Sequence, residues 1–410
     1  MIRLADRSFC LLLLASFIFA RTVGGELPHY IFYCLALLMT SSYLWVRHLV
    51  PRLTCTLTPD RRTLAAGEDL QVRVWLYNEG MLPAPLVEIE DLTAPNLADD
   101  SPRRQLRSLG PARSAVTSYR ITALRRGHHQ LGPVRAKVYD PLGIFVAEVK
   151  FQESGWLRVH PPLRRLETMD IPGVEPLGRV RTRRRGWEDP TSVADLRPYL
   201  PGDPPRHIHW KVTAHRGEIY LKQFELSTST VLYLVPDLQS RVHAGEGPDS
   251  TEERMVEAAL AIAYYALRKG MPVGLAAHGR ERMALPPAKG LRRLGDLLEA
   301  FTALRADGEV PLGSILSDEL RTVPPRCTVI ALTPVCDRDT ALGLATLMRR
   351  GIAAGLVHLP AWSYDGRRPP SQEEERHLQR LRRLGARIWS LPREASLAAA
   401  LGGEGIVRRA

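Results

Sequence analysis

Cysteine is scarce in this sequence of 410 residues, and the few cysteines follow no regular spacing. They stand at positions 10, 34, 55, 327 and 336, and no C-x-x-C pair occurs among them. A sparse, odd-numbered set is typical of a reducing compartment or of thiols embedded in lipid. The cysteines therefore argue against a disulfide framework.

A glycine-rich loop of the kind that cradles a nucleotide phosphate is also missing. The apolar run "TVLYLVPD" (230–237) is typical of a buried parallel strand, yet "LQSR" follows it in place of glycines. No nucleotide cofactor is therefore predicted, and no other cofactor either.

Acidic residues are outnumbered, which leaves a formal net charge of +12. Arginine supplies most of this charge and is spread over many segments, so a single nucleic-acid groove is not indicated. Anionic lipid or an acidic protein partner fits the charge equally well. The length predicts two or three domains, and the overall composition is that of a globular protein.

Two apolar runs open the chain, "SFCLLLLASFIFA" (8–20) and "LPHYIFYCLALLMTSSYLWV" (27–46). The second has about the ~20 residues that cross a bilayer, whereas the first is also compatible with a cleaved signal peptide. No A-x-A pattern precedes Arg21. We therefore predict a transmembrane helical hairpin over residues 1–50.

The basic residues around these two runs predict their orientation. Arg3 and Arg7 precede the first run, and Arg47 and Arg52 follow the second, while the connecting loop holds Arg21. By the positive-inside rule both ends face the cytoplasm. The prediction is an inner (cytoplasmic) membrane protein with two transmembrane helices and cytoplasmic soluble domains.

Residues 51–160 predict a small antiparallel β domain resembling a sandwich. In "LQVRVWLYNEG" (70–80) apolar and polar residues alternate, which places Val72, Val74 and Leu76 on one face of a strand. Short strands separated by glycine and proline continue to about residue 160. No catalytic constellation appears in this region, so it is interpreted as an interaction or spacer module.

Residues 228–410 predict a doubly wound parallel α/β domain, in which apolar strands alternate with amphipathic helices. Ser250 with Glu253, and Ser371 with Glu374, form capping-box patterns at the start of two helices. The layout resembles the von Willebrand factor A fold.

Ligands bind an open α/β sheet at the carboxyl ends of its strands, and Asp237 ends the first strand. The von Willebrand metal-binding loop reads Asp-x-Ser-x-Ser, but the serine positions here hold Gln239 and Arg241. A guanidinium beside a cation site is repulsive. Asp237 is therefore a degenerate metal candidate, and no metal site is predicted.

The most concentrated stretch is "LRPYLPGDPPRHIHWKVTAHRGEIYLKQFE" (196–225), within a linker segment predicted over 161–227. His207 and His209 would share one face of a strand, and Asp203 would complete a ligand set. A half-buried structural strand anchored by Trp210 explains the same residues better. Thr213 has His215 nearby, but the pair makes no convincing nucleophile.

The same stretch resembles the signature of the bacterial domain of unknown function 58 family, roughly R-x-Y-x-P-G-D-D-x-R-x-I-x-W-x-x-x-A-R. The second Asp is replaced by Pro204, and the final Arg is displaced by one position. The runs "RRGHHQLGP" (125–133) and "DPLGIF" (140–145) also look like the segment that precedes this signature. The residues that match, with the displaced Arg216 and the end of "LKQFE", are Arg197, Tyr199, Pro201, Gly202, Asp203, Arg206, Ile208, Trp210, Ala214, Arg216, Phe224 and Glu225.

The resemblance implies a membrane-anchored protein without established catalytic activity, often linked to MoxR-type AAA+ ATPases and other membrane proteins. We therefore expect a non-catalytic adaptor or accessory protein, whose signature segment and α/β domain dock such an ATPase. The lipid bilayer is the other expected partner, and nucleic acid is not.

Two alternatives remain open. One is a metal-dependent enzyme using Asp203, His207 and His209, or Asp237. The other is an envelope protein that binds anionic lipid or polymer through the basic run "RVRTRRRG" (179–186), although we favour a solvated, flexible basic loop as the interpretation of that run.

Overall fold

The structure is a computed structural model that describes most of the chain. The described residues are 2–5, 8–92, 104–122, 125–152, 155–173, 188–199, 208–226, 230–318, 320, 323, 327–366 and 372–402. The basic run at 179–186 lies outside them.

The chain divides into two compact units, each assembled from separate stretches of sequence. Unit 1 comprises Met1–Arg164, Gly245–Leu260 and Leu297–Leu304, and unit 2 comprises Arg165–Ala244, Ala261–Asp296 and Arg305–Ala410. This division follows packing rather than chain order, and the boundaries predicted at 50, 160 and 227 stay a prediction.

Unit 1 begins with a short strand β1 (Ile2–Leu4) and two apolar helices, α1 (Ser8–Val23) and α2 (Glu26–Leu49). Among the described helices, α2 with its following turn (Glu26–Arg52) is the one long and apolar enough to cross a membrane, by length and composition. Helix α1 has 16 residues, fewer than the ~20 that span a bilayer. One helix of spanning length is supported, and the second predicted span stays a prediction.

Ten further strands follow in unit 1, and they confirm that this region is built of short strands. They are β2 (Leu53–Pro59), β3 (Thr63–Ala65), β4 (Asp69–Asn78), β5 (Ala84–Asp91), β6 (Arg104–Leu109), β7 (Ser114–Thr122), β8 (Gly127–Leu131), β9 (Val134–Tyr139), β10 (Phe145–Phe151) and β11 (Gly155–His160).

These strands form three sheets, of orders β1-β10-β9-β5-β6, β2-β4-β7 and β3-β11-β8. Every described pairing in them is antiparallel except β3 with β11, which is parallel. The alternation predicted for β4 is confirmed, since Val72, Val74 and Leu76 are at most 1% exposed. These side chains pack with those of β2, β5, β9 and β11 in one apolar core.

Unit 2 and the segments shared between the units contain the remaining elements. They are β12 (Glu188–Pro198), α3 (Trp210–Arg216), β13 (Tyr220–Leu226), β14 (Val231–Pro236), α4 (Thr251–Arg268), β15 (Val273–His278), β16 (Arg282–Ala288), α5 (Leu291–Ala303), α6 (Leu312–Asp318), β17 (Cys327–Thr333), α7 (Arg338–Arg349), β18 (Ala353–His358), α8 (Trp362–Asp365), α9 (Gln372–Arg383), β19 (Arg387–Ser390) and α10 (Leu397–Leu401).

The main sheet of unit 2 has the order β16-β15-β14-β17-β18-β19. Its inner pairings are parallel, but β16 runs antiparallel to β15, so the predicted all-parallel sheet is in fact mixed. The sequence pattern does not reveal β16, because Pro286 and Pro287 interrupt it. An edge strand tolerates proline, since one side of its backbone needs no partner. The chain reverses direction across the sheet between β14 and β17, which makes that edge the expected ligand position.

Half of the capping box predicted at Ser250 is present, because the Ser250 Oγ accepts the Glu253 N–H at 3.3 Å. The Glu253 carboxylate contacts Arg126 instead of the Ser250 N–H, which donates to the Gly247 carbonyl. Helix α6 was not predicted. It packs with α7 and α9 on one face of the sheet, where Ile315, Leu344 and Leu381 are at most 1% exposed.

Arg126 is the largest fully buried side chain among the described residues, and it is held entirely within unit 1. Its guanidinium contacts the carboxylates of Glu252 at 2.8 Å and Glu253 at 2.6 Å, in the first turn of α4. It also donates to the carbonyl oxygens of Phe301 at 3.1 Å and Leu304 at 2.9 Å. One side chain of the "RRGHHQLGP" run thus joins three distant stretches of sequence.

We expect Arg126→Met to lower the free energy of unfolding by about 3–5 kcal/mol, because it leaves two buried carboxylates without their counter-charge. Arg125→Met is the matched control. The side chain of Arg125 is 35% exposed and lies 3.5 and 3.6 Å from the same carboxylates, so its loss should cost about 1 kcal/mol or less. Urea unfolding of the detergent-solubilised full chain measures both. Equal losses in the two variants would contradict this assignment.

Candidate functional site

The signature segment folds into a two-stranded antiparallel ribbon of β12 and β13 with helix α3 between the strands. Arg197 pairs with Leu221, and Pro198 pairs with Tyr220. The Tyr199 N–H then donates to the Ile219 carbonyl at 2.9 Å, which continues the ladder past the end of β12. The strand predicted over "EIYLKQFEL" is confirmed.

Helix α3 corrects the interpretation of the two histidines as neighbours on a strand. His209 is the N-cap of α3, and its Nδ1 accepts the Val212 N–H at 3.3 Å. His207 lies outside the described residues, as do Pro201, Gly202, Asp203 and Arg206. The metal set proposed from Asp203, His207 and His209 therefore gains no support from the one member that is described.

Trp210 is not the buried anchor that the sequence predicted, because it is 69% exposed at the start of α3. The apolar anchor of this stretch is the preceding residue of the signature, Ile208, which is 8% exposed. Ile219 is also exposed, at 44%. The sequence placed Trp210 in a strand with a buried face, whereas α3 turns it toward solvent.

Local hydrogen bonds explain why α3 is short and fixed. Gly217 ends it with a left-handed backbone (φ 75°), a conformation that glycine adopts without strain. Thr213 Oγ accepts the Tyr220 N–H at 3.1 Å, so this threonine is structural rather than a nucleophile.

Arg216, the displaced arginine of the signature, stacks on the first residue of β13. Its guanidinium carbon lies 5.3 Å from the centre of the Tyr220 ring, and it donates to the Tyr220 hydroxyl at 3.3 Å. Ala214 is exposed on the same helix. Arg197, Phe224 and Glu225 lie on the ribbon strands, but their side chains are outside the description.

Asp237 lies at the end of β14, at the point where the strand order reverses, and it is 2% exposed. Its Oδ1 accepts the Gln239 N–H at 3.1 Å. Its Oδ2 lies 2.7 Å from Thr333 Oγ, at the end of the neighbouring strand β17. Burial raises the pKa of Asp237 from 3.8 to about 6, against the effect of these hydrogen bonds and assisted by the charge of Asp337.

The hydrogen bonds of Thr333 can accommodate the protonated form of Asp237 that prevails below that pKa. Thr333 Oγ is 2.7 Å from Asp237 Oδ2 and 2.8 Å from the Val335 carbonyl oxygen, and it accepts the Val335 N–H. A hydroxyl has one proton to donate. When the Asp237 carboxyl donates to Thr333 Oγ, the threonine donates to Val335, and every contact has one proton.

A second polar network lies at the ends of β17 and β18. Glu374 of α9 accepts from the Cys336 N–H at 2.9 Å and lies 3.1 Å from His358 Nε2. Burial raises the pKa of Glu374, but the bonds from His358 and Cys336 outweigh it and leave the pKa below its usual value. Asp337 caps α7 by accepting the Thr340 N–H at 2.8 Å.

The thiol of Cys336 lies in the same network and is poorly suited to nucleophilic chemistry. The side chain is fully buried, and burial, with the charges of Glu374 and Asp337, raises its pKa to about 12. A thiolate is the reactive form of cysteine, and this environment disfavours it.

The sequence analysis found Asp237 but missed Thr333, Asp337, His358 and Glu374. Thr333 and His358 are the last residues of apolar strands, a position that gives a usable signal. Glu374 was assigned to a capping box instead. Its capping partner Ser371 lies outside the described residues, and the carboxylate bonds to Cys336 and His358.

No group of three or more His, Cys, Asp or Glu side chains suited to a metal ion occurs within the described ranges. Gln239 contributes its backbone N–H to Asp237, and Arg241 is exposed. The described groups around Asp237 bond to one another, and these hydrogen bonds connect the ends of strands β14 and β17. This geometry is typical of a structural role.

The polar side chains at the strand ends and the β12–β13 ribbon both belong to unit 2, which is built on an open α/β sheet. In this class of fold, ligand-binding sites lie at the carboxyl ends of the strands. Residues 195–332 match the family model described as protein of unknown function DUF58, so the resemblance read from the signature is confirmed there. The uncharacterized protein YeaD of Bacillus subtilis (strain 168) is 26% identical over 319 residues, which cover 76% of this chain and 77% of that protein.

Two solved structures that match parts of the chain do so at low identity. The CARDB domain of a Pyrococcus furiosus protein, solved in complex with di-metal ions, is 16% identical over 26% of this chain and 91% of its own, with a TM-score of 0.20. A β-glucosidase from Listeria innocua in complex with glucose is 18% identical over 24% of this chain and 16% of its own, with a TM-score of 0.13. Neither score carries an argument about fold or function.

We expect Asp237→Asn to become more stable than the unmodified chain as the pH rises. The folded pKa is raised to about 6 from 3.8, so the folded state holds the extra proton between these values. The stability associated with that proton is full below pH ~4 and is lost as the pH rises through ~6. The asparagine amide takes the place of the protonated carboxyl and loses nothing.

The unfolding midpoint of the detergent-solubilised chain, measured from pH 4 to pH 8, tests this expectation. The advantage of Asp237→Asn should grow through this range toward a limit on the order of 3 kcal/mol. Asp237→Ala, which removes both bonds, should be destabilised at every pH. A midpoint that Mg²⁺ or Ca²⁺ raises in the unmodified chain but not in Asp237→Asn would instead favour the metal-dependent alternative.

Proposed function

We propose that the chain is a membrane-anchored, non-catalytic adaptor or accessory protein of a MoxR-type AAA+ ATPase system, which docks its partner through the signature segment and the α/β unit. The observation that carries the proposal is the exposure of Trp210, at 69%, inside the signature itself. Large aromatic and arginine side chains dominate the binding energy of protein interfaces. Trp210 and Arg216 stand on one helix seven residues long.

The position of β1 supports a membrane hairpin made of both apolar helices. Before α1 the chain pairs with β10, with Ile2 opposite Ala147 and Leu4 opposite Phe145. After α2 it enters β2, in the same unit. A chain that enters and leaves the bilayer on one side needs two spans. Removal of the first apolar run by a signal peptidase would also remove β1.

The surfaces of α1 and α2 support the same assignment. Large apolar side chains are exposed all along both helices, from Leu11 at 66% to Leu37 at 70%. In water such a surface is unfavourable, whereas lipid covers it at no cost. Arg3, Arg47 and Arg52 stand at the ends of the pair that join the sheets, which favours a cytoplasmic location for both units.

The layout of unit 2 supports a von Willebrand factor A-like assignment. Its central strand β14 ends in a carboxylate at the switch point, as in that fold, but the Gln239 and Arg241 positions lack the hydroxyls of a metal loop. We infer that such a domain retains the sheet of that fold, while hydrogen bonds among its own residues occupy the position of the metal site. A domain of this kind is suited to binding another protein.

The two alternative functions receive less support. The metal-dependent enzyme requires Asp203 and His207, outside the described residues, or a cation at Asp237, whose oxygens already take part in hydrogen bonds. The anionic-lipid or polymer binder depends on residues 179–186, which are not described. Liposome binding that collapses with added salt would favour the latter.

We expect Trp210→Ala to weaken binding of the ATPase by about 30-fold or more, which corresponds to ~2 kcal/mol for an interface hot spot. The unfolding midpoint should change little, because the side chain is mostly in solvent. Trp156→Ala is the matched control, since Trp156 is 67% exposed but lies on β11, outside the signature. Binding should be unaffected in that variant.

Recovery of the full-length chain from gently solubilised membranes tests the proposal as a whole. A MoxR-type ATPase should copurify with the unmodified chain and with Trp156→Ala, and be depleted with Trp210→Ala. Loss of the ATPase in both tryptophan variants, or its absence from all samples, would contradict the proposed docking surface.

A further inference from the structure

The turn between β9 and β10, residues 140–144, is fixed to the apolar helix α2 by one buried carboxylate. Asp140 is 2% exposed and accepts three hydrogen bonds within unit 1. The donors are the Leu142 N–H at 2.9 Å, the Phe145 N–H at 2.7 Å and the Ser42 hydroxyl at 2.8 Å. The tip of this turn therefore has a defined place beside the helices.

The tip of the turn is apolar and faces outward. Leu142 is 53% exposed, although its backbone is fixed by Asp140. Together with Ile144 it lines an apolar groove whose other walls come from both helices, including Phe9, Leu12, Leu35 and Leu38. The apolar surface of the helices thus continues without interruption onto the turn.

The length of the helices shows which part of this surface a bilayer reaches. The rings of Phe17 and Phe32 lie 5.3 Å apart, so these residues stand at one level of the pair. Helix α1 has 16 residues and a length of about 24 Å, while the hydrocarbon core is about 30 Å thick. Helix α1 alone therefore falls short by ~6 Å, about one helical turn, whereas α2 with its 24 residues does not.

Helix α2 covers this level with its own residues Tyr43 and Leu44, which are 37% and 43% exposed. Helix α1 begins at Ser8, and the tip of the β9–β10 turn is the apolar surface beside its N-terminus. Arg47 follows one turn after Tyr43 and is exposed, at the level where lipid headgroups begin.

We propose that the tip of the turn, residues 141–144, is embedded in the bilayer, with Leu142 among the acyl chains of the leaflet nearest the sheets. The inference rests on the membrane anchoring proposed above. It adds that the β sheets are seated directly on the membrane, because the turn and α2 hold them at two points. The occupant of the groove is lipid hydrocarbon, which needs no polar partner.

Site-directed fluorescence in the full chain tests this placement. Cys10 and Cys34 are exposed and are replaced by serine, while Cys55, Cys327 and Cys336 are buried and remain unlabelled in the folded protein. A single thiol is introduced by Leu142→Cys and labelled with a nitrobenzoxadiazole dye. The protein is then reconstituted into phosphatidylcholine–phosphatidylglycerol vesicles.

The dye at position 142 should emit at a shorter wavelength than the same dye at a water-exposed position. Lipids that carry a nitroxide near the headgroup should quench it strongly. Iodide in the water should quench it weakly. Trp156→Cys is the water-exposed control in the same unit, and Leu37→Cys, at a position 70% exposed on α2, is the anchor control.

The outcomes separate the two proposals. If position 37 reports lipid while position 142 is quenched by iodide as strongly as position 156, the embedded turn is overturned and the anchor stands. If position 37 itself is open to iodide, the anchor fails and the embedded turn fails with it. Lipid quenching at both 37 and 142, but not at 156, supports both.

Discussion

The hydrogen bonds of Asp140 are the constraint that fixes the apolar helix α2 against the sheets of unit 1. A buried carboxylate is costly unless donors surround it, and here the donors come from its own turn and from Ser42 of α2. Without Asp140, the buried Ser42 hydroxyl would face the protein without this hydrogen-bond acceptor. Satisfying both groups at once fixes the rotation and height of α2 against the sheet. Apolar helices alone would allow either to vary.

A similar constraint operates at Arg126, where the buried group is a cation and its partners are farther away in sequence. Two carboxylates and two carbonyl oxygens surround a guanidinium that has no exposure to solvent. A network of this kind contributes less through net attraction than through the cost of any alternative arrangement. Unit 1 therefore includes Gly245–Leu260 and Leu297–Leu304 as well as the N-terminal strands.

Local patterns predicted much of the fold. They did not reveal features that depend on the assembled sheet or on contacts between residues distant in sequence. The alternation in β4 and the helix start at Ser250 are encoded within a few residues, and both are confirmed. Strand β16 was missed because prolines hide a strand whose edge position is known only once the sheet is assembled. Trp210 was placed in a buried strand because a Trp beside alternating residues fits one, whereas the His209 cap starts a helix there. No local pattern indicates that Glu374 reaches Cys336 and His358.

The contrast between buried and exposed groups supports the proposal that this is a binding protein. At the strand ends, Asp237 and Cys336 are buried and Glu374 is half-buried, and the two carboxylates accept hydrogen bonds from neighbouring groups. In the ribbon, Trp210 and Ile219 are left in solvent, although their burial would be favourable. A catalytic site needs accessible reactive groups, whereas a docking site needs exposed apolar and aromatic surface on a rigid support. The described residues meet the second requirement, and the ribbon hydrogen bonds from Tyr199, His209 and Tyr220 supply the rigidity.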